Sequence, residues 1–159
     1  MNRPKIDLPS LFMALSLTIN LLIAFLFRSQ IPVPKEVGAT IMIFGGLFFV
    51  YVLLYLRSGF FGETAPELDF LITKGTYQFC RHPLYLSFII MILGLDMAFG
   101  SVVGVAFTIT LSIPTVVYRA RTEDRLLRKR FGKEWEDYAN KVGLLFPKFG
   151  KRELEPEKT

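Results

Sequence analysis

Leu84 to Phe99 reads LYLSFIIMILGLDMAF, Val102 to Tyr118 reads VVGVAFTITLSIPTVVY, and only Gly100 and Ser101 stand between them. Two apolar runs joined this tightly predict an antiparallel helical hairpin. The first run is short and carries Asp96 near its end, a position expected to place the charge at the turn, hydrated at a membrane surface. Pro114 lacks the amide hydrogen that a helix interior uses, so the second helix is expected to kink or open locally there.

Upstream lie two more apolar stretches. Leu8 to Phe27 has only Ser10, Ser16, Thr18 and Asn20 as polar side chains, and Val37 to Leu56 is the second stretch. Each is long enough to cross a hydrocarbon core of about 30 Å as a helix. Arg3 and Lys5 precede the first, as in a secretion signal, but the run is long and Arg28-Ser29-Gln30 is a poor cleavage site, so the helix is read as retained. The whole chain has 159 residues and is 52% hydrophobic, which suits one domain of the membrane class. Its mean hydropathy of +0.40 agrees.

The expected fold is therefore all-α: a polytopic membrane helical bundle of about four transmembrane helices, the last two a tight hairpin, with a cytoplasmic amphipathic C-terminal helix. The formal net charge of +5 is placed at the flanks of the apolar runs. Arg3, Lys5, Arg28, Lys35, Arg57, Lys74 and Arg81 precede the hairpin. Its turn has no basic residue, and Arg119, Arg121, Arg125, Arg128, Lys129 and Arg130 follow it. With an even number of spans, both termini, the second loop and the tail share the basic side, which is expected to be cytoplasmic. Lipid headgroups, not nucleic acid, are the partners this pattern implies.

After Thr122, the residues Leu127, Phe131, Trp135, Tyr138 and Val142 recur at spacings that line one helical face. Gly132 is expected to divide this stretch into two helices. Trp135 and Tyr138 suit a membrane interface or packing, and the cluster from Arg125 to Lys133 suits a solvated, lipid-facing surface. One domain is expected over 1–159, with two N-terminal spans in 1–56, the long loop, helical hairpin and C-terminal helices in 57–150 and a flexible tail in 151–159.

The polar segment from Arg57 to Pro83 is longer than a turn requires, and loops of that length usually carry function. Its end reads LITKGTYQFCRHPLY, Leu71 to Tyr85. Gly75 permits a tight turn or close approach to a ligand. Tyr77 and Tyr85 offer aromatic faces with hydroxyls. Arg81 and His82 bring charge to the start of the third helix, Pro83 fits its first turn, and the open amides there suit a carboxylate. Arg119 and Glu123 are four apart at the exit of the hairpin and share a face. Glu123 and Asp124 also suit the first turn of a helix, the plainer reading. The single cysteine, Cys80, excludes an internal disulfide and is expected to be a buried or neutral thiol. With one histidine beside it, too few ligands remain for a transition metal, so no metal cofactor is expected.

The order G-x-Y-x-x-x-R-H-P-x-Y, then R-x-x-x-E, then F-G-x-x-W-x-x-Y resembles the isoprenylcysteine carboxyl methyltransferase family, related to the membrane phospholipid methyltransferases. The likeness runs from about Leu68 to Pro147. It implies S-adenosylmethionine as cofactor, held by Asp69, Phe70, Leu71 and Ile72, by Tyr77, by His82, Pro83, Leu84 and Tyr85, and by Glu123. It implies Arg119 on the substrate side. Members with the isoprenylcysteine activity often carry histidine where this chain has Asp69, and the acidic pair of relatives is Glu123-Asp124 here. There is no glycine-rich Rossmann fingerprint. The resemblance implies direct methyl transfer to a hydrophobic or lipid-borne acceptor: a carboxylate, an amine or a thiol. The rivals are a non-catalytic membrane transporter or assembly protein, and a sterol-reductase-like enzyme using a nicotinamide cofactor.

Overall fold

The computed structural model describes residues 8–28, 32–60 (backbone alone for 57–60) and 71–148. Five helices hold most of them. α1 is Leu8–Leu26, α2 Lys35–Phe60, α3 Pro83–Ala98, α4 Val102–Phe131 and α5 Lys133–Lys141. Expectations placed on Asp69, Phe70 and the tail from Lys151 fall outside the described residues.

Three helices are long and apolar enough to cross a membrane: α1, Lys35–Leu56 of α2, and α4. The fourth expected span, α3, has 16 residues. At 1.5 Å per residue it reaches about 24 Å, short of a full hydrocarbon core. Pro83 starts it, and the hairpin turn at Gly100 (φ +68°) ends it. Ser101 caps α4, its hydroxyl accepting from the Gly104 amide at 2.9 Å.

The hairpin of α3 and α4 is central. α2 lies antiparallel against α3, with the Phe49 and Phe88 ring centroids 4.8 Å apart. A Cβ at Gly94 would collide with the Met42 backbone, so only glycine lets the two helices approach this closely. α1 lies antiparallel against α4. Asn20 Nδ2 donates to Thr108 Oγ1 at 2.7 Å, and Ser16 Oγ to Ser112 Oγ at 3.1 Å.

This packing inverts a water-soluble protein. Ser16, Asn20, Asp96, Thr108 and Ser112 are buried, while Leu11, Phe12, Leu22, Phe44, Leu47 and Ile109 are exposed. Lipid is as apolar as leucine, so hydrophobicity does not sort these faces; packing and hydrogen bonds do. The outward threonines obey the same constraint. Thr18, Thr110 and Thr115 donate to the carbonyls of Ala14, Ala106 and Leu111, satisfying their hydroxyls within their own helix.

Asp96 departs from expectation. It is not hydrated at the turn but fully buried at 0% exposure. Its Oδ2 accepts from Thr108 Oγ1 at 2.6 Å, and Thr108 in turn accepts from Asn20. The reason is rotational: Asp96 lies on the face of α3 turned toward α1 and α4, where neutral polar side chains replace water. α4 opens where expected: Thr108–Ser112 forms a π turn just ahead of Pro114. Thr108 and Ser112, the residues α1 grips, bound that turn.

Gly132 (φ +54°) ends α4 and begins α5, as expected. Cys80 is buried.

Candidate functional site

The site forms where the start of α3, the C-terminal half of α4 and the C-terminal segment meet. Val116, Ala120 and Asp124 recur every four residues on the buried face of α4. A carboxylate on such a stripe needs partners, and Asp124 has two. Its Oδ1 is 2.9 Å from His82 Nε2, and its Oδ2 is 2.9 Å from Arg81 Nη2. Glu123, the next residue, points to the rim. Its Oε2 accepts from the Tyr85 hydroxyl at 2.7 Å and lies 3.9 Å from His82 Nδ1. The His82 ring stacks on Tyr85, centroids 5.4 Å apart. Both acids sit within α4, far from its first turn, so the plainer reading as helix-start residues does not hold.

Arg81 ties this centre to the C-terminal segment. Its Nη1 donates to the carbonyls of Ala139 (3.0 Å) and Val142 (3.2 Å), capping the end of α5, and its guanidinium lies 5.4 Å from the Trp135 ring centroid. The two amides just ahead of α3 are taken. That of Arg81 donates to Gly143 and that of His82 to Leu144. Tyr138 donates its hydroxyl to the Tyr77 carbonyl at 2.7 Å. Trp135 and Tyr138 therefore clasp the segment from Tyr77 to Arg81, which explains their place in the pattern better than a membrane interface does.

Gly75 opens a short 3₁₀ turn, Gly75–Gln78, with φ +65°. That φ favours glycine, and a Cβ there would stand 2.6 Å from the tip of the Tyr55 side chain of α2, which would have to shift. Burial, with the Glu123 carboxylate adding to it, pushes the Tyr77 hydroxyl above the usual phenol range. Burial does the same to Tyr138. It also pushes the Cys80 thiol up to about 11.

Of the expected residues, Tyr77, His82, Pro83, Tyr85 and Glu123 come together. Leu84 is half-buried beside them, and Leu71 and Ile72 are half-buried in the extended segment leading to Gly75. Arg119 sits one turn before Glu123, its Nε donating to Ser10 Oγ of α1 at 2.8 Å. Sequence reasoning named Arg81 and Asp124 near the site but gave them no role in it, and it left out Tyr55 and Ser10. Asp124 had a readable signal, being an acid on the stripe of Val116 and Ala120. Tyr55 and Ser10 lie on spans with no motif.

The phospholipid methyltransferase family model matches residues 34–134, more than half of the chain. The chain belongs to the phospholipid methyltransferase family. The match takes in α2, the whole site from Tyr77 to Tyr85, and Arg119, Glu123 and Asp124 on α4. Among individual proteins, this member is 40% identical over 83 residues to the cobalt-zinc-cadmium resistance protein CzcN of Cupriavidus metallidurans, covering 49% of this chain and 36% of that one. It is 42% identical over 79 residues to a probable protein-S-isoprenylcysteine O-methyltransferase of Oryza sativa, covering 48% and 41%. It is 36% identical over 77 residues to the protein-S-isoprenylcysteine O-methyltransferase of Schizosaccharomyces pombe, covering 45% and 30%. The chain thus spans about two fifths or less of these curated relatives. Its apolar helices and its family make it a membrane protein. Among the described residues, no group of three histidines, cysteines or acids is placed to hold a metal ion.

Proposed function

We propose that this phospholipid methyltransferase family member is an integral-membrane methyltransferase that uses S-adenosylmethionine. One observation carries the reading. The R-H-P-x-Y segment and the acidic pair, 38 to 42 residues apart, close on each other through Tyr85–Glu123 and His82–Asp124.

The donor set suits this cofactor. Glu123 is the acid with exposed surface, its side chain 39% exposed, while Asp124 is spent on Arg81 and His82. A carboxylate at the rim beside the Tyr85 ring favours a ligand that is cationic and carries hydroxyls. Tyr77, Tyr85, His82 and Glu123 would hold it, with Leu71 and Ile72 ahead of them in the chain. The bound cofactor supplies a methyl group already activated on a positive sulfur, so the protein needs no covalent intermediate. Its own work is alignment and exclusion of water. Arg81 and Asp124 fix His82, Tyr138 fixes the Tyr77 backbone, and Arg119 holds the acceptor's electronegative group. The acceptor, hydrophobic or lipid-borne, offers a carboxylate, an amine or a thiol, and enters from the bilayer.

Four spans are part of the proposal, with α3 crossing as a short helix supported by α2 and α4. Both termini, the site and α5 then face the cytoplasm. The site lies at the membrane surface and not at mid-span, which speaks against transport as the primary role.

Isothermal calorimetry with S-adenosylhomocysteine tests the reading. Binding is expected to the folded wild type and not to His82→Ala. Wild type that stays folded and binds no homocysteine nucleoside, or that binds a nicotinamide nucleotide instead, overturns it. Transfer from labelled S-adenosylmethionine to total membrane lipid, followed by identification of the product, then names the acceptor.

A further inference from the structure

We infer that Ser10 is a positioning residue for Arg119, and that α1 thereby sets the acceptor side of the site although it carries none of the family pattern. The inference rests on the acceptor-side role proposed for Arg119.

Among the described residues, three hydrogen bonds between side chains join α1 to α4 in one antiparallel register: Asn20 with Thr108, Ser16 with Ser112, and Ser10 with Arg119. The first two are buried, Asn20 at 1% exposure, and they lock the register of the seam. In lipid no hydrophobic force distinguishes one register from another, so such contacts decide it. The third falls at the end of the same seam, one turn before Glu123. Ser10 Oγ accepts from Arg119 Nε at 2.8 Å. Arginine has a long, rotamer-rich side chain but a planar, rigid head. Fixing the Nε–H direction therefore fixes the plane that holds both Nη groups. A serine at that place needs no bulk, only an oxygen on the correct face of a helix whose register Asn20 and Ser16 have already set. The helix with no motif thus reaches the site through the Ser10 hydroxyl.

The test uses the full chain in detergent micelles, as wild type, Ser10→Ala and Ser10→Thr. Nitrogen NMR, with Arg119→Lys to assign the signal, follows the Arg119 Nε–H. Slow hydrogen exchange is expected in wild type and Ser10→Thr, and fast exchange in Ser10→Ala. An exchange rate that Ser10→Ala leaves unchanged overturns the inference, whatever the activity. The kinetic arm measures transfer from labelled S-adenosylmethionine to total membrane lipid. Ser10→Ala is expected to raise the half-saturating lipid concentration about tenfold, a factor worth about 1.4 kcal/mol. S-adenosylhomocysteine affinity should stay within about twofold, and Ser10→Thr should restore the wild-type value. Unchanged lipid kinetics in Ser10→Ala overturns the positioning role. Failure of wild type to bind S-adenosylhomocysteine is a different result: it removes the proposed function, while the NMR arm still reads the Ser10–Arg119 pair.

Discussion

His82 Nε2 and Asp124 Oδ1 stand 2.9 Å apart, joining the N-cap of α3 to the C-terminal half of α4. The same carboxylate takes Arg81 on its other oxygen. Asp124→Ala would take the acid from a buried imidazole and from a guanidinium that is only 14% exposed. Removing one partner of a buried pair costs about 3–5 kcal/mol. Asp124→Asn keeps one acceptor oxygen and should lose less. Thermal unfolding in detergent checks this. If Asp124→Ala melts with the wild type, the pair has no structural role.

Glu123 makes a contrasting prediction, because its side chain is 39% exposed. In Glu123→Gln the amide oxygen can still accept from the Tyr85 hydroxyl, so stability should stay within about 0.5 kcal/mol. The charge that faces the proposed cofactor is lost. The affinity for S-adenosylhomocysteine is expected to fall about tenfold, or about 1.4 kcal/mol. Calorimetry on a variant with wild-type thermal stability separates the two effects. Equal affinity would remove Glu123 from the cofactor site.

The hairpin, the break at Gly132 and the opening ahead of Pro114 were legible because each rests on local chemistry: a two-residue link, a helix-breaking glycine, a missing amide. His82, Tyr85 and Glu123 were legible as a set because their order is a pattern. Asp96 was misread. Its distance from the turn is visible in the sequence, but the side of α3 it occupies depends on how α1 packs. Ser10 and Tyr55 were invisible for a related reason. A lone serine or tyrosine on an apolar span looks the same whether it meets lipid or a site, and only the register of α1 on α4 and of α2 on α3 decides. The family pattern also hid the division of labour between neighbours: Glu123 reaches the rim while Asp124 is spent on Arg81 and His82.

That register can itself be tested at two glycines. At Gly94 an added methyl meets the Met42 backbone, which has no rotamer to yield. Gly94→Ala should destabilise by about 1–3 kcal/mol, the usual effect of overpacking. At Gly46, on α2, nothing lies within 4 Å of the added carbon. Gly46→Ala should be neutral or gain up to about 1 kcal/mol from helix propensity. Thermal midpoints of the two variants, measured side by side, are expected to move apart. A Gly94→Ala protein as stable as Gly46→Ala would mean that α2 and α3 do not cross there.

Cys80 offers a reading of the site's dryness, and as the only cysteine it gives an unambiguous signal. Burial pushes its thiol from 9.0 up to about 11, with a backbone hydrogen bond from His82 acting weakly the other way. Alkylation needs the thiolate. At pH 8 the difference between 9.0 and about 11 lowers the thiolate fraction about a hundredfold. The sign for stability follows. The folded chain holds this proton more tightly than the unfolded one, so the contribution is full below the ordinary thiol value and is lost as pH rises through about 11. Iodoacetamide should therefore label the folded protein at pH 8 at least about a hundredfold more slowly than the chain unfolded in dodecyl sulfate, since steric shielding only adds to the effect. The folded rate should climb steadily toward pH 11. Folded and unfolded rates that match at pH 8 would mean that water reaches Cys80, and that the clasp of Arg81, Gly143 and Leu144 around it is open in solution.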